Sequence, residues 1–121
     1  MSTMNLEEMR FPDALPVDSY GPGFFRVGGR VHRGPLLILP DAGVLPWRGW
    51  EDTAMILAEA PRLDVLFVGT GAEMAYLPPG FLTLMQDVNL GVEPMPTPAA
   101  CRTFNVLLSE ARRVGLALIP V

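Results

Sequence analysis

Apolar residues follow two rhythms along this chain of 121 residues. Leu36-Leu37-Ile38-Leu39 and Val65-Leu66-Phe67-Val68 are apolar without a break, the pattern of strands covered on both faces. Leu116-Ala117-Leu118-Ile119 repeats it at the end of the chain. Between Met95 and Gly115 the rhythm changes. Cys101, Phe104, Leu107, Leu108, Ala111 and Val114 recur at helical spacing, with Arg102, Asn105, Ser109 and Arg112 mostly on the opposite side. This predicts a helix from Thr97 to about Gly115. Thr97 is read as its cap, Pro98 as its first residue and Gly115 as its left-handed exit. Arg112 and Arg113 then lie near the negative end of the helix dipole.

The remaining pattern is organised by turn residues. Leu15 to Tyr20 reads as a first extended piece ahead of the turn Gly21-Pro22-Gly23. Phe24 to Val27 and Arg30 to His32 read as strands around Gly28-Gly29, giving a small antiparallel meander. Asp41 to Gly49 reads as a loop. Glu51 to Glu59 reads as a helix with Trp50, Ala54, Leu57 and Ala58 on its buried face, stopped by Pro61. Pro78-Pro79-Gly80 introduces a short helix over about 80–89, with Leu82, Met85 and Val88 or Asn89 on one side. Gly91 to Met95 reads as a short strand that Pro94 places near a sheet edge. From residue 36 the order is therefore β-α-β-α-β-α-β. That alternation predicts an α/β fold: a mostly parallel or mixed central sheet with helices on its faces, extended by the meander. Residues 1–12 show no period and read as a flexible tail, and 13–121 as one domain.

Composition narrows the function. Half the residues are apolar and mean hydropathy is +0.30. This is an apolar surplus for a small chain, and it raises the prospect of a partner or a homodimer. A net charge of −4 argues against a nucleic-acid backbone as the main ligand. All nine basic residues are arginine, so lysine Schiff-base chemistry and a phosphate-loop lysine are excluded. No apolar run approaches the length of a membrane span, and the acidic start does not read as a signal or transit peptide. A cytoplasmic chain that is not an integral membrane protein is expected.

Candidate chemistry gathers at two places. Gly69-Thr70-Gly71 follows a buried strand, at the end where ligands bind in open α/β sheets. It also reads simply as a strand-to-loop turn that needs small residues. The start of the long helix offers free N–H groups, with Thr97, Cys101, Arg102 and Asn105 nearby. If Thr70 and Gly71 face that end, the group forms a candidate pocket for a carboxylate or phosphate. Otherwise Thr97 only caps, and Arg102 pairs with an acid such as Glu93. Cys101 begins the apolar stripe, which favours a buried structural thiol over a reactive one. His32, the one histidine, has no evident partner and reads as an exposed strand-end residue. No spacing suits a zinc or calcium site, no cofactor motif is present and no catalytic residue can be named. Trp47 and Trp50 are candidate interface anchors, with at least one expected in the core.

Five segments together resemble one small family. They are Gly21 to Val27, Gly34 to Pro40, Asp64 to Gly71, Gly91 to Met95 and Thr97 to Asn105. The chain resembles the domain of unknown function 498 family over about residues 15–121. That family includes adipogenesis-associated domain proteins and relatives of a mitochondrial assembly factor for respiratory complex I. The resemblance implies a three-layer α/β/α domain with a mixed central sheet and an additional β-layer. It implies no catalytic mechanism. In its mitochondrial branch it implies a protein-binding role in complex assembly. Lacking anything like a targeting peptide, this sequence is similar to the bacterial branch.

Two functional readings follow. One is a non-enzymatic protein-interaction or assembly-factor-like domain. The other is a small-ligand or anion-binding protein, or a cryptic enzyme, with its pocket between Gly69-Thr70-Gly71 and the helix start at Thr97.

Overall fold

The computed structural model describes residues 15–121; the expected tail over residues 1–12 lies outside them. The first element is a three-stranded antiparallel sheet of β1 (Val17–Gly21), β2 (Phe24–Val27) and β3 (Arg30–Arg33). Turns at Gly23 and at Gly28-Gly29 have φ between 58° and 78°, a region that glycine enters without strain. The rest builds a five-stranded mixed sheet. Its strands are β4 (Leu36–Leu39), β5 (Gly43–Pro46), β6 (Val65–Thr70), β7 (Val92–Met95) and β8 (Val114–Ile119). They lie in the order β5-β4-β8-β6-β7, with β6 parallel to both β7 and β8 and β4 antiparallel to β8. The helices are α1 (Ala54–Glu59), α2 (Pro79–Asp87) and α3 (Thr97–Ser109).

The unbroken apolar runs are the middle of this sheet, and alternate residues serve opposite faces. Leu36, Ile38, Phe67, Leu116 and Leu118 pack with Phe104 and Cys101 of α3 and with Val17, Phe25 and Val27 of the meander. Leu37, Leu39, Leu66, Val68 and Ala117 pack with Trp47, Ile56, Phe81 and Met85 on the other face. Two separate cores thus share one sheet. The α/β architecture read from the sequence is the observed one, with the meander sharing the α3 side.

Several local expectations are corrected. Residues 43–46 are not loop but β5, which pairs with β4 from Leu36–Pro46 to Leu39–Gly43. Its glycine, its proline and the nearby tryptophan masked the strand. α1 starts at Ala54 rather than Glu51, and its buried residues are Ile56 and Glu59, while Ala54 and Ala58 are exposed. Pro61 does not end the helical path but continues it as a 3-10 turn, Ala60–Arg62. In α2 the inward residues are Phe81 and Met85, and Val88 is exposed.

The largest correction concerns α3, which ends at Ser109 instead of running to Gly115. The Ala111 N–H donates to the Leu108 carbonyl, and the Arg112 N–H to the Leu107 carbonyl. That pair of bonds is the Schellman closure of a helix, with Ala111 in the left-handed position at φ 62°. α2 closes the same way through Asn89 at φ 58° and Leu90. Val114 and Gly115 belong to β8. Gly115 is needed there for space, because an added Cβ would lie 3.0 Å from Leu66 Cδ1 and 3.1 Å from Leu39 Cδ2.

An alanine at a left-handed exit is strained by about 1 kcal/mol relative to glycine. Ala111→Gly is therefore expected to raise the unfolding free energy by about that amount in a urea titration. An unchanged or lowered midpoint would contradict the assigned helix end.

Candidate functional site

Three of the residues singled out in the sequence meet where β6 ends. Gly69 makes the approach possible: a Cβ there would lie 2.6 Å from Thr97 Oγ1 and 2.9 Å from Thr97 Cα. With no side chain in the way, the first residue of α3 sits directly on the strand. Thr97 is fully buried. Its hydroxyl accepts from the Gly71 N–H at 2.8 Å and donates to the Ile119 carbonyl at 2.6 Å. Its own N–H donates to the Gly71 carbonyl at 2.8 Å. Thr97 is thus the first helical residue and not a cap, the capping position being Pro96 without a side-chain bond. Pro98 remains within the first turn, where a missing N–H has no consequence.

Thr70 extends this joint outward. Its hydroxyl donates to the Glu73 carbonyl at 2.7 Å and accepts from the Ala75 N–H at 3.1 Å. Gly71 adopts φ 104° between Thr70 and Ala72, a conformation glycine alone takes easily. Residues 70–75 are therefore closed on themselves, and Leu77 beyond them is buried in the core.

The other three residues point elsewhere. Cys101 lies in the α3 core, 4% exposed, and burial pushes its thiol up to about 11. Such a thiol carries almost no thiolate near neutrality. Arg102 is exposed, and no ion pair joins it to Glu93 among the described residues. Asn105 faces the meander. Its Oδ1 accepts from the Val17 N–H and its Nδ2 donates to the Val17 carbonyl, each at 2.9 Å, so it ties β1 to α3.

The two tryptophans separate as well. Trp47 is buried, and its Nε1 donates to the Asp52 carbonyl at 2.9 Å. Trp50 is half-buried between Trp47 and Phe81, edge-on to both, with ring centroids 5.2 and 5.4 Å away. It lines a cleft of about 660 Å³ together with Arg48, Pro78, Gly80, Phe81 and Leu84. Of the pair, Trp50 alone is accessible to a partner.

The opposite end of the sheet holds polar features that the sequence reading missed. Glu59 is 3% exposed, and its two carboxylate oxygens accept from the Asp41 and Ala42 N–H groups at 2.9 and 2.7 Å. An acid at a helix end reads as solvated, and only the inward phase of Ile56 hints otherwise. Asp41 pairs with Arg62 at 2.7 Å and Arg113 at 3.0 Å, while Asp64 pairs with Arg112 at 3.2 Å. The Arg113 guanidinium, then that of Arg62, holds the Asp41 carboxyl below its usual value. The Arg113 backbone N–H, then the Arg112 side chain, does the same for Asp64. These exposed pairs fasten three loops together. Among the described residues, no group of three or more histidine, cysteine or acidic side chains is arranged to hold a metal ion. None of their helices is long and apolar enough to cross a membrane.

Fold and site together define a small mixed α/β domain whose buried polar side chains among the described residues, Glu59 and Thr97, bond to its own backbone. Residues 17–119 match the family described as "Protein of unknown function (DUF498/DUF598)", and the chain belongs to that family. It is 50% identical over 114 residues to an uncharacterised protein of Rhodobacter capsulatus, covering 94% of this chain and 91% of that one. It is 35% identical to the mouse NADH dehydrogenase (ubiquinone) 1 alpha subcomplex assembly factor 3, over 97% of this chain and 66% of the mouse protein. The crystal structure of a Bartonella henselae protein described as an outer membrane protein superimposes with a TM-score of 0.81. Identity there is 37%, over 91% of this chain and 98% of that one.

Two outcomes follow from this geometry. Thr97→Val leaves the Gly71 N–H and Ile119 carbonyl unpartnered in a buried place, so stability is expected to fall by about 2–4 kcal/mol. Thr97→Ser keeps the hydroxyl and should retain most of it; equal losses by chemical denaturation would contradict the role given to the hydroxyl. Cys101 should react with a thiol reagent only as fast as the chain unfolds. Rapid labelling of the native protein would show that the thiol is not packed in the core.

Proposed function

We propose that this chain is a non-enzymatic protein-interaction domain of the assembly-factor kind, working in the cytoplasm. One observation carries the reading: 97% of the chain aligns with the mouse assembly factor, so that protein contains a counterpart of almost the whole domain. The chemistry supports it. The polar groups at the strand end bind one another, the thiol is buried, and the charged residues across the sheet pair among themselves. What the surface offers is apolar and aromatic: Trp50 in its cleft, Leu84 on α2, and Met74 and Tyr76 on the loop after β6. Groups of that type supply much of the binding energy in protein interfaces. A single free thiol suits a reducing compartment.

The small-ligand reading places its pocket between Thr70-Gly71 and Thr97. No specific observation favours it, since donor and acceptor of the Thr97 hydroxyl are both taken within the chain.

The test is affinity capture of the full chain from its native host, with in-cell crosslinking and mass spectrometry. The expected result is reproducible crosslinks to subunits of one multisubunit assembly, enriched in its incomplete forms. Recovery of the chain without a protein partner, alongside a metabolite that raises its melting temperature, would overturn the proposal in favour of the ligand reading.

A further inference from the structure

Four strands stand at sheet edges: β1 and β3 in the meander, β5 and β7 in the five-stranded sheet. An edge strand turns every second N–H and C=O outward, and these groups accept another strand unless something blocks them. Three of the four edges are blocked. On β1 the Asn105 amide takes both the N–H and the C=O of Val17, and a bulge follows before Ser19. On β5 the Trp47 N–H donates to the Pro35 carbonyl, and alternation from that bond turns Pro46 outward, where it has no N–H to offer. On β7 the Leu66 N–H donates to the Gly91 carbonyl, which turns Pro94 outward with the same result.

β3 carries no such block. The Gly34 N–H donates to the Gly23 carbonyl. Alternation from that pair makes His32 and Arg30 bond to β2, and turns the N–H and C=O groups of Val31 and Arg33 outward. Val31 is 44% exposed, and Arg30 and Arg33 are exposed. Charge also sets this edge apart. From Ser19 to Pro40 the sequence holds three arginines, its one histidine and no carboxylate, in a chain of net charge −4. Two negative groups flank β3. The Asp18 carboxylate accepts from the Gly29 N–H at 3.1 Å, and the terminal residue Val121 accepts from the Gly23 N–H at 3.2 Å. Among the described residues neither forms an ion pair with Arg26, Arg30 or Arg33. Arg30 and Arg33 lie on opposite faces of the meander, so an added strand meets a cation on each face. A second copy of β3 would set arginine against arginine, which repels, whereas adjacent carboxylates satisfy both.

We propose that β3 accepts an extended acidic segment of another protein as a fourth strand of the meander. The backbone groups of Val31 and Arg33 hold the segment, and the Arg30 and Arg33 side chains select adjacent carboxylates on it. This edge uses none of the Trp50 surface, so it and the assembly reading stand or fall separately.

The test uses the full chain and a short capped peptide with two adjacent glutamates between threonine and valine residues. Fluorescence anisotropy reads binding, amide exchange by NMR at Val31 and Arg33 reads strand addition, and circular dichroism confirms each fold. Val31→Pro removes one outward N–H and leaves the bonds to β2 intact, since residue 31 makes none there. Val31→Thr keeps that N–H, and Arg33→Glu reverses a selecting charge. In the free chain both amides should exchange fast, and saturating peptide should slow both by about tenfold or more. Val31→Pro and Arg33→Glu should each weaken binding by about tenfold, and Val31→Thr should change it by less than about twofold. The same peptide with lysines for glutamates should not bind. Absence of binding, or binding that Val31→Pro leaves unchanged, would overturn the proposal. So would tighter binding to anionic lipid vesicles than to the peptide. Slow exchange at both amides in the free chain would also overturn it, showing the edge already taken by residues 1–14 or by a second copy.

Discussion

The fold turns on how closely α3 approaches β6. A helix laid on a sheet is normally held off by the side chains between them, but at Gly69 there is none, and Thr97 fills the space. Its hydroxyl then joins three segments distant in sequence: the exit of β6, the start of α3 and the end of β8. A buried hydroxyl is unfavourable unless both its donor and its acceptor are used, and here both are. The same contact fixes where the loop after β6 begins, so the placement of Met74 and Tyr76 depends on it. Position 69 must stay small and position 97 must carry a hydroxyl for either to hold.

Around that joint, the two cores are built with opposite kinds of support. On the α3 side, the meander is attached by the Asn105 amide gripping the backbone of Val17 and by the rings of Phe25 and Phe104. On the other side, short helices are attached by Trp47, Ile56, Phe81 and Met85. Glu59 adds a carboxylate that binds the β4–β5 turn. The interior polar groups are thus satisfied by backbone partners within the chain. Large apolar side chains left at the surface include Met74 and Tyr76 on the loop after β6, Leu84 on α2 and Val106 on α3.

Much of this was legible in the sequence where burial dominates. β4, β6 and β8 were plain because strands covered on both faces need unbroken apolar runs. The helix starting near Thr97 was plain because Pro98 and the stripe from Cys101 to Leu108 agree. Its end was not. Ala111 and Val114 continue the stripe by chance, and an alanine in the left-handed position leaves no signature, whereas Gly115 imitates one. β5 was hidden because an edge strand with glycine and proline looks like a loop. Within the site, the meeting of Thr70-Gly71 with Thr97 was foreseeable, since strand ends and helix starts lie together in α/β sheets. The use of Thr97, Asn105 and Glu59 was not, because hydrogen bonds made to distant backbone have no local pattern.

Native-state hydrogen exchange at the Gly71 and Thr97 amides tests the central joint most directly. Both amides are bonded across it, to Thr97 Oγ1 and to the Gly71 carbonyl. If the joint is a closed structural element, the two amides exchange only with global unfolding, matching the central residues of β6 and β8. Exchange orders of magnitude faster, through an opening confined to residues 69–77 and the start of α3, would show a gate where this account has a fastening.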